Sequence, residues 1–178
     1  SVFKFSQSDF NNKIKIQTED SSLENGKGNR LNSIPISARS AVVENQKNGF
    51  NHILDLRLAL ACKIMDEMSE TKEFSRVKFA KAFYLADAVS GVDLKTEYTR
   101  EAAGPLDQRA LYNDKMGIES LAAKRGFFDA EKKRGKEFDF VQYSKGEKLN
   151  KGVAAFEELF GNNAARILEI INLTAPMT

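Results

Sequence analysis

Asp107, Glu131 and Lys133 follow the Asp…Glu-x-Lys order of metal-dependent nucleases, where two carboxylates hold magnesium and the lysine orients a water. Their setting suits that chemistry poorly. Asp107 follows Pro105 at a predicted helix start, where a carboxylate simply favours the helix dipole. Glu131 and Lys133 approach a turn, and so short a pattern recurs by chance. His52 and Cys62 are each the only residue of their kind, which removes zinc sites and histidine-based triads. His52 reads as a surface residue near a helix start. Cys62, in Leu58-Ala59-Leu60-Ala61-Cys62, reads as a buried small hydrophobe. Ser75-Arg76-Val77-Lys78 matches Ser-x-x-Lys, but the rest of that constellation is missing, and Ser75 is better explained as a helix N-cap. Gly26-Lys27-Gly28 lacks the strand and helix that frame a phosphate loop. No catalytic residue, metal or cofactor is therefore expected.

Binding chemistry is better represented. Lys132, Lys133, Arg134 and Lys136 crowd one turn, with Lys124 and Arg125 just before it. Such a tip can lie on a phosphate backbone, where each cation releases counterions. Exposed turns also attract lysine for solubility, and Asp129, Glu131, Glu137 and Asp139 dilute the field. Lys78 and Lys81 share a helix face three residues apart and join the candidate DNA contacts. Arg100, beside the tight Gly104-Pro105 step, can bind a carboxylate or phosphate, or can pair with Glu101 or Asp107 in a rigid connector.

These residues need elements to hold them. Residues 1–48 read as a polar arm, with a short alternating stretch from Val2 to Ile16 and an extended segment at Ile34-Pro35-Ile36. From 49 to 174 the pattern is a helical domain. A central helix over 51–68 carries Ile53, Leu56, Leu60 and Ile64, and a second runs from Ser75 to Gly91 with Val77, Ala80, Phe83, Tyr84, Ala88 and Val89 inward. A short helix after Pro105, one capped by Asp114 and stopped by Gly126, one capped by Asn150, and a last over 163–173 complete the set. Two half-apolar runs around the basic turn predict a β-hairpin over 127–143, with Phe138 and Phe140 on one face opposite Phe128 and Ala130. The expected fold is mainly α, about five helices with a hairpin wing, winged-helix-like.

Composition agrees. The 178 residues are 42% hydrophobic, enough for one core, and 27 basic against 25 acidic residues leave a net charge of +2. That balance excludes a surface that is basic throughout. A single cysteine and the lack of a signal-peptide pattern or a long apolar run predict a cytoplasmic protein with no membrane partner. The close at Leu173-Thr174-Ala175-Pro176-Met177-Thr178 has no finishing element and suggests a piece of a longer protein.

Lys78-Phe79-Ala80-Lys81-Ala82-Phe83-Tyr84-Leu85-Ala86-Asp87, followed by Arg100-Glu101-Ala102-Ala103-Gly104-Pro105-Leu106-Asp107 and Ala110-Leu111-Tyr112-Asn113, resembles a domain appended to subunits of bacterial type I restriction–modification systems. It is similar in outline to the Panacea domain of toxin–antitoxin systems, which shows a Lys-x-x-Tyr-Leu-Ala helix and a Gly-Pro followed by a short helix ending Leu-Tyr. The resemblance covers about residues 50–173. It implies a non-catalytic accessory module whose partners are other restriction–modification subunits and double-stranded DNA. Methyltransferase Asn-Pro-Pro-Tyr or Asp-Pro-Pro-Tyr motifs and a helicase phosphate loop are missing. An antitoxin-like protein-binding domain is the alternative, and a metal-dependent nuclease using Asp107, Glu131 and Lys133 the third reading.

Overall fold

The computed structural model describes the backbone of residues 36–71 and 73–176, with side chains at 49, 51–71 and 73–176. The chain divides into two compact units, Ser1–Arg39 and Ser40–Thr178, and all side chains discussed below belong to the second. The stretch from Val2 to Ile16 and the Ile34-Pro35 step lie outside the described residues.

Six α-helices and two antiparallel strand pairs are described: α1 (Ile36–Met68), α2 (Arg76–Val89), β1 (Thr99–Glu101), β2 (Gly104–Leu106), α3 (Gln108–Tyr112), α4 (Ile118–Arg125), β3 (Phe128–Arg134), β4 (Asp139–Lys145), α5 (Leu149–Phe160) and α6 (Ala164–Thr174). The fold is mainly α with a minor hairpin, as the periodicity predicts, and five of the described helices have eight residues or more. Among the described residues no helix is long and apolar enough to cross a membrane.

Helix α1 begins well before Asn51, so the last residues of the polar arm are helical. Ser37 to Lys47 carry no apolar stripe, but they contain no proline or glycine, and backbone propensity alone permits the helix there. His52 is consequently exposed in mid-helix and not near a start. Every residue from Leu58 to Met65 is buried, the mark of a helix surrounded by others. Lys63 is admitted to this core by ion pairs to Glu67 at 2.8 Å and Glu157 at 3.9 Å.

Ser75 caps α2, its hydroxyl accepting from the Lys78 amide at 3.3 Å. The inward face of α2 is Phe79, Ala80, Ala82, Phe83 and Ala86; Val77, expected inside, is 45% exposed, and Ala88 is exposed. The buried set follows its largest side chains, Phe79 and Phe83, which are fully enclosed. The connector after α2 is pinned twice. Asp87 accepts from Thr96 at 2.6 Å and Tyr98 at 2.7 Å, and Arg57 donates to the Leu94 carbonyl at 2.7 Å.

Pro105 does not open a helix. It sits in β2 opposite Arg100, and Asp107 caps α3 by accepting from the Ala110 amide at 2.8 Å. Gly117, not Asp114, precedes α4, and glycine is required there since a Cβ would stand 2.4 Å from the Asn113 nitrogen. Gly126, at φ +72°, ends α4 in the left-handed conformation. The chain then enters the hairpin, whose base is closed by Gly146 donating to the Phe127 carbonyl at 2.8 Å. Lys148, not Asn150, is the residue before α5.

The register of the hairpin differs from the expected pairing. Ala130 opposes Tyr143 and Lys132 opposes Val141, while Phe140 opposes Lys133 on the other face. Tyr143 fills the role expected of Phe140, stacking among Phe74, Phe79 and Phe128 with ring centroids 5.3 to 6.3 Å away. A one-residue slip in strand pairing exchanges the two faces, so this choice decides what the sheet exposes.

Candidate functional site

The first residues of α2 cross the hairpin and leave a groove beside β4 of about 770 Å³. Phe74, Val77, Phe138, Phe140 and Val141 supply its apolar lining, and Lys78, Lys81 and Lys132 its cations. Phe138 is 71% exposed, and Phe140 and Val77 are nearly half exposed. Beyond Val77 and Lys81 lies a smaller hollow of about 170 Å³ formed with Gly104, Pro105, Leu106 and Tyr112. Gly104 stands at φ +121°, a backbone conformation that suits glycine and lets the tight β1–β2 turn close.

A polar clasp lies under both hollows. Arg76 makes a two-pronged ion pair with Glu119: Nε donates to Oε1 at 2.9 Å, and Nη2 to Oε2. The Tyr143 hydroxyl donates to the same Glu119 Oε1 at 2.5 Å. The Arg76 guanidinium lies 4.1 Å over the Tyr112 ring, whose hydroxyl donates to the Arg76 carbonyl at 3.2 Å. The pair with Glu119 strengthens the guanidinium's hold on its proton. Burial first, and then the Glu119 charge, push the Tyr143 and Tyr112 phenols above their ordinary range. The clasp ties the N-terminus of α2 to α3, α4 and β4, and so fixes the groove walls.

The sequence-nominated cations divide into three groups. Lys78, Lys81 and Lys132 meet in the groove, and Gly104 and Pro105 border its smaller neighbour. Arg134 and Lys136 are exposed at the hairpin turn, beside Lys133, which pairs with Glu131 at 2.6 Å. Lys124 and Arg125 do not join them. They sit at the far end of the seven-residue β3, about 20 Å from the turn. There Arg125 pairs with Asp55 at 2.7 Å, and Lys124 donates to the Lys115 carbonyl at 3.2 Å. Arg100 is exposed in β1.

The nuclease trio has other employment. Asp107 is buried, with one oxygen on the Ala110 amide and the other on the Glu97 amide at 2.7 Å, while Glu131 and Lys133 hold each other. Among the described residues no three acidic, histidine or cysteine side chains are grouped to hold a metal ion. Arg76, Glu119 and Tyr143 were not nominated by the sequence. Only Tyr112 carried a signal, as the end of the Leu-Tyr helix in the resemblance. Compared with known proteins, the chain matches no family model, no curated protein and no solved structure.

Proposed function

We propose that this chain is a non-catalytic, cytoplasmic accessory module of a bacterial type I DNA restriction–modification protein, holding another subunit through its groove and touching the DNA backbone with its hairpin turn. The observation that supports this reading is the convergence of the resembling segments. Lys78 and Lys81 of the first segment, Gly104-Pro105 of the second and Tyr112 of the third surround Val77 and Arg76 on one exposed face, with the basic hairpin beside it. A groove with an apolar floor suits a protein chain, and a convex turn with exposed Arg134 and Lys136 suits phosphates.

A DNA mobility shift tests the reading, with a duplex probe between about 50 and about 200 mM salt. The full chain is compared with one in which Lys133, Arg134 and Lys136 are all changed to Glu. Weaker binding and a flatter salt dependence are expected, the slope falling by about one for each phosphate that the variant no longer neutralises. Equal binding by the two chains would remove the hairpin from the function.

A further inference from the structure

We propose that the groove takes an extended, acidic segment of a partner protein, which adds to β4 as a third strand. This names the partner chemistry of the interaction role above and rests on that role.

The first ground is the backbone. The sheet has two strands, so among the described residues β4 has a free edge. Its lining residues Phe138, Asp139, Phe140 and Val141 are consecutive, so side chains from both faces of β4 border the groove along that edge, and Lys132 reaches it from β3 beside Val141. Bonds from Gly135 to the Phe138 carbonyl at 3.1 Å and from Gly146 to the Phe127 carbonyl at 2.8 Å bracket the ladder. Alternation between them gives the inward bonds to Phe140, Gln142 and Ser144. Asp139 and Val141 therefore turn their N–H and C=O groups away from β3, toward the groove. A partner strand would find donors and acceptors at the spacing it needs.

The second ground is the side chains. Among the described residues Val77, Phe138 and Phe140 are three of the few large apolar side chains left exposed, Phe138 and Phe140 on the β4 side of the groove and Val77 on the α2 side. Proteins usually blunt such an edge, since it templates pairing. The third is charge. Among the described residues Lys78, Lys81 and Lys132 have no ion-pair partner, whereas Lys133, Arg125 and Arg76 each do. Three lysines face Glu73 and Asp139, so the trough is net cationic and favours carboxylates flanking apolar side chains. Duplex DNA presents no apolar ridge to fill such a trough.

The test uses the full chain and a fluorescein-labelled peptide of about eight residues, one strand in length, alternating valine with glutamate. Anisotropy is expected to show binding that weakens about tenfold in the double variant Lys78→Glu, Lys81→Glu, where two attractive charge pairs become repulsive. Amide NMR is expected to shift at Asp139 and Val141. A peptide alternating valine with lysine should bind far more weakly. Equal binding of the two peptides, no effect of the lysine changes, or shifts confined to other elements would each overturn the proposal. So would concentration-dependent self-association abolished by Phe140→Asp, which would make a second copy the occupant. Running both peptides on the Lys133, Arg134, Lys136 variant separates the outcomes. Peptide binding retained while DNA binding is lost is expected; DNA binding with no peptide binding sinks this inference alone.

Discussion

Arg76 and Glu119, on different helices and 43 positions apart, close on each other through two parallel hydrogen bonds, and Tyr143 shares the Glu119 carboxylate. Glu119 is nearly enclosed, whereas a third of the Arg76 side chain meets solvent. Removing the acid leaves a half-buried guanidinium and a partly buried phenol without their partner. Glu119→Ala is expected to cost about 2 kcal/mol, a buried-pair value discounted for the exposure of Arg76. Glu119→Gln, which keeps an acceptor for Tyr143, should cost less. Urea unfolding of the two variants checks the order, and equal losses would mean that charge, not the hydrogen bond from Tyr143, dominates the clasp.

Asp107 gives a second outcome. Both of its oxygens accept backbone amides, from Glu97 and Ala110, in a buried position. Asp107→Ala uncaps α3 and orphans the Glu97 amide, so a loss of about 2 kcal/mol is expected in thermal or urea unfolding. Glu131→Ala, which removes only the half-exposed ion pair with Lys133, should fall within about 0.5 kcal/mol of wild type. Comparable losses from the two changes would show that Asp107 is not acting as a cap.

Helix periodicity and turn chemistry made α2, α4, the hairpin and the last two helices legible, since Ser75, Gly126, Gly161 and the basic turn are local signals. The faces were less legible. Val77 fits a helical stripe as well as Phe79 does, and only packing against Phe128 and Tyr143 selects Phe79. Likewise Phe140 and Tyr143 are equally plausible core residues until the pairing with β3 is fixed, and that register depends on Gly146 bonding back to Phe127. The groove exists because both ambiguities resolve in the same direction, leaving Val77 and Phe140 outside. The Arg76–Glu119 clasp was invisible for a different reason: nothing in either local sequence encodes a partner so far along the chain.

Alkaline pH should weaken the fold in a defined window. Burial is the largest cause raising the proton affinity of the Tyr98, Tyr112 and Tyr143 phenols and of the Cys62 thiol, the thiol being pushed up to about 12. The unfolded chain releases these protons first, near 9 for the thiol and near 10 for the phenols, while the folded chain retains them. The stability they contribute is complete below about pH 9 and is lost as pH rises toward the folded values. Tyr143→Phe is expected to flatten the loss above pH 10 by about 1.4 kcal/mol per pH unit, one proton's share. Chemical unfolding at a series of pH values measures it, and an unchanged slope would show that Tyr143 ionises as freely in the fold as outside it.

Gly152 lets α5 pack tightly against α1 at Cys62. A Cβ placed on it would stand 2.3 Å from the Cys62 sulfur and 2.8 Å from the Cys62 Cβ. Alanine in a helix is ordinarily worth about 1 kcal/mol more than glycine. Here the clash outweighs that gain, because both helices are held by a packed core and neither atom is the far end of a flexible side chain. Gly152→Ala should therefore destabilise by about 1 to 3 kcal/mol. Adding Cys62→Ala removes the nearer clash and leaves the farther one, so a double-mutant cycle should return a favourable coupling with incomplete rescue. Strict additivity would show that α5 slides away from α1 on substitution. The same packing makes Cys62 a reporter, since a thiol reagent reaches it only when the helices part. Its labelling rate should rise in Gly152→Ala in step with the fall in stability.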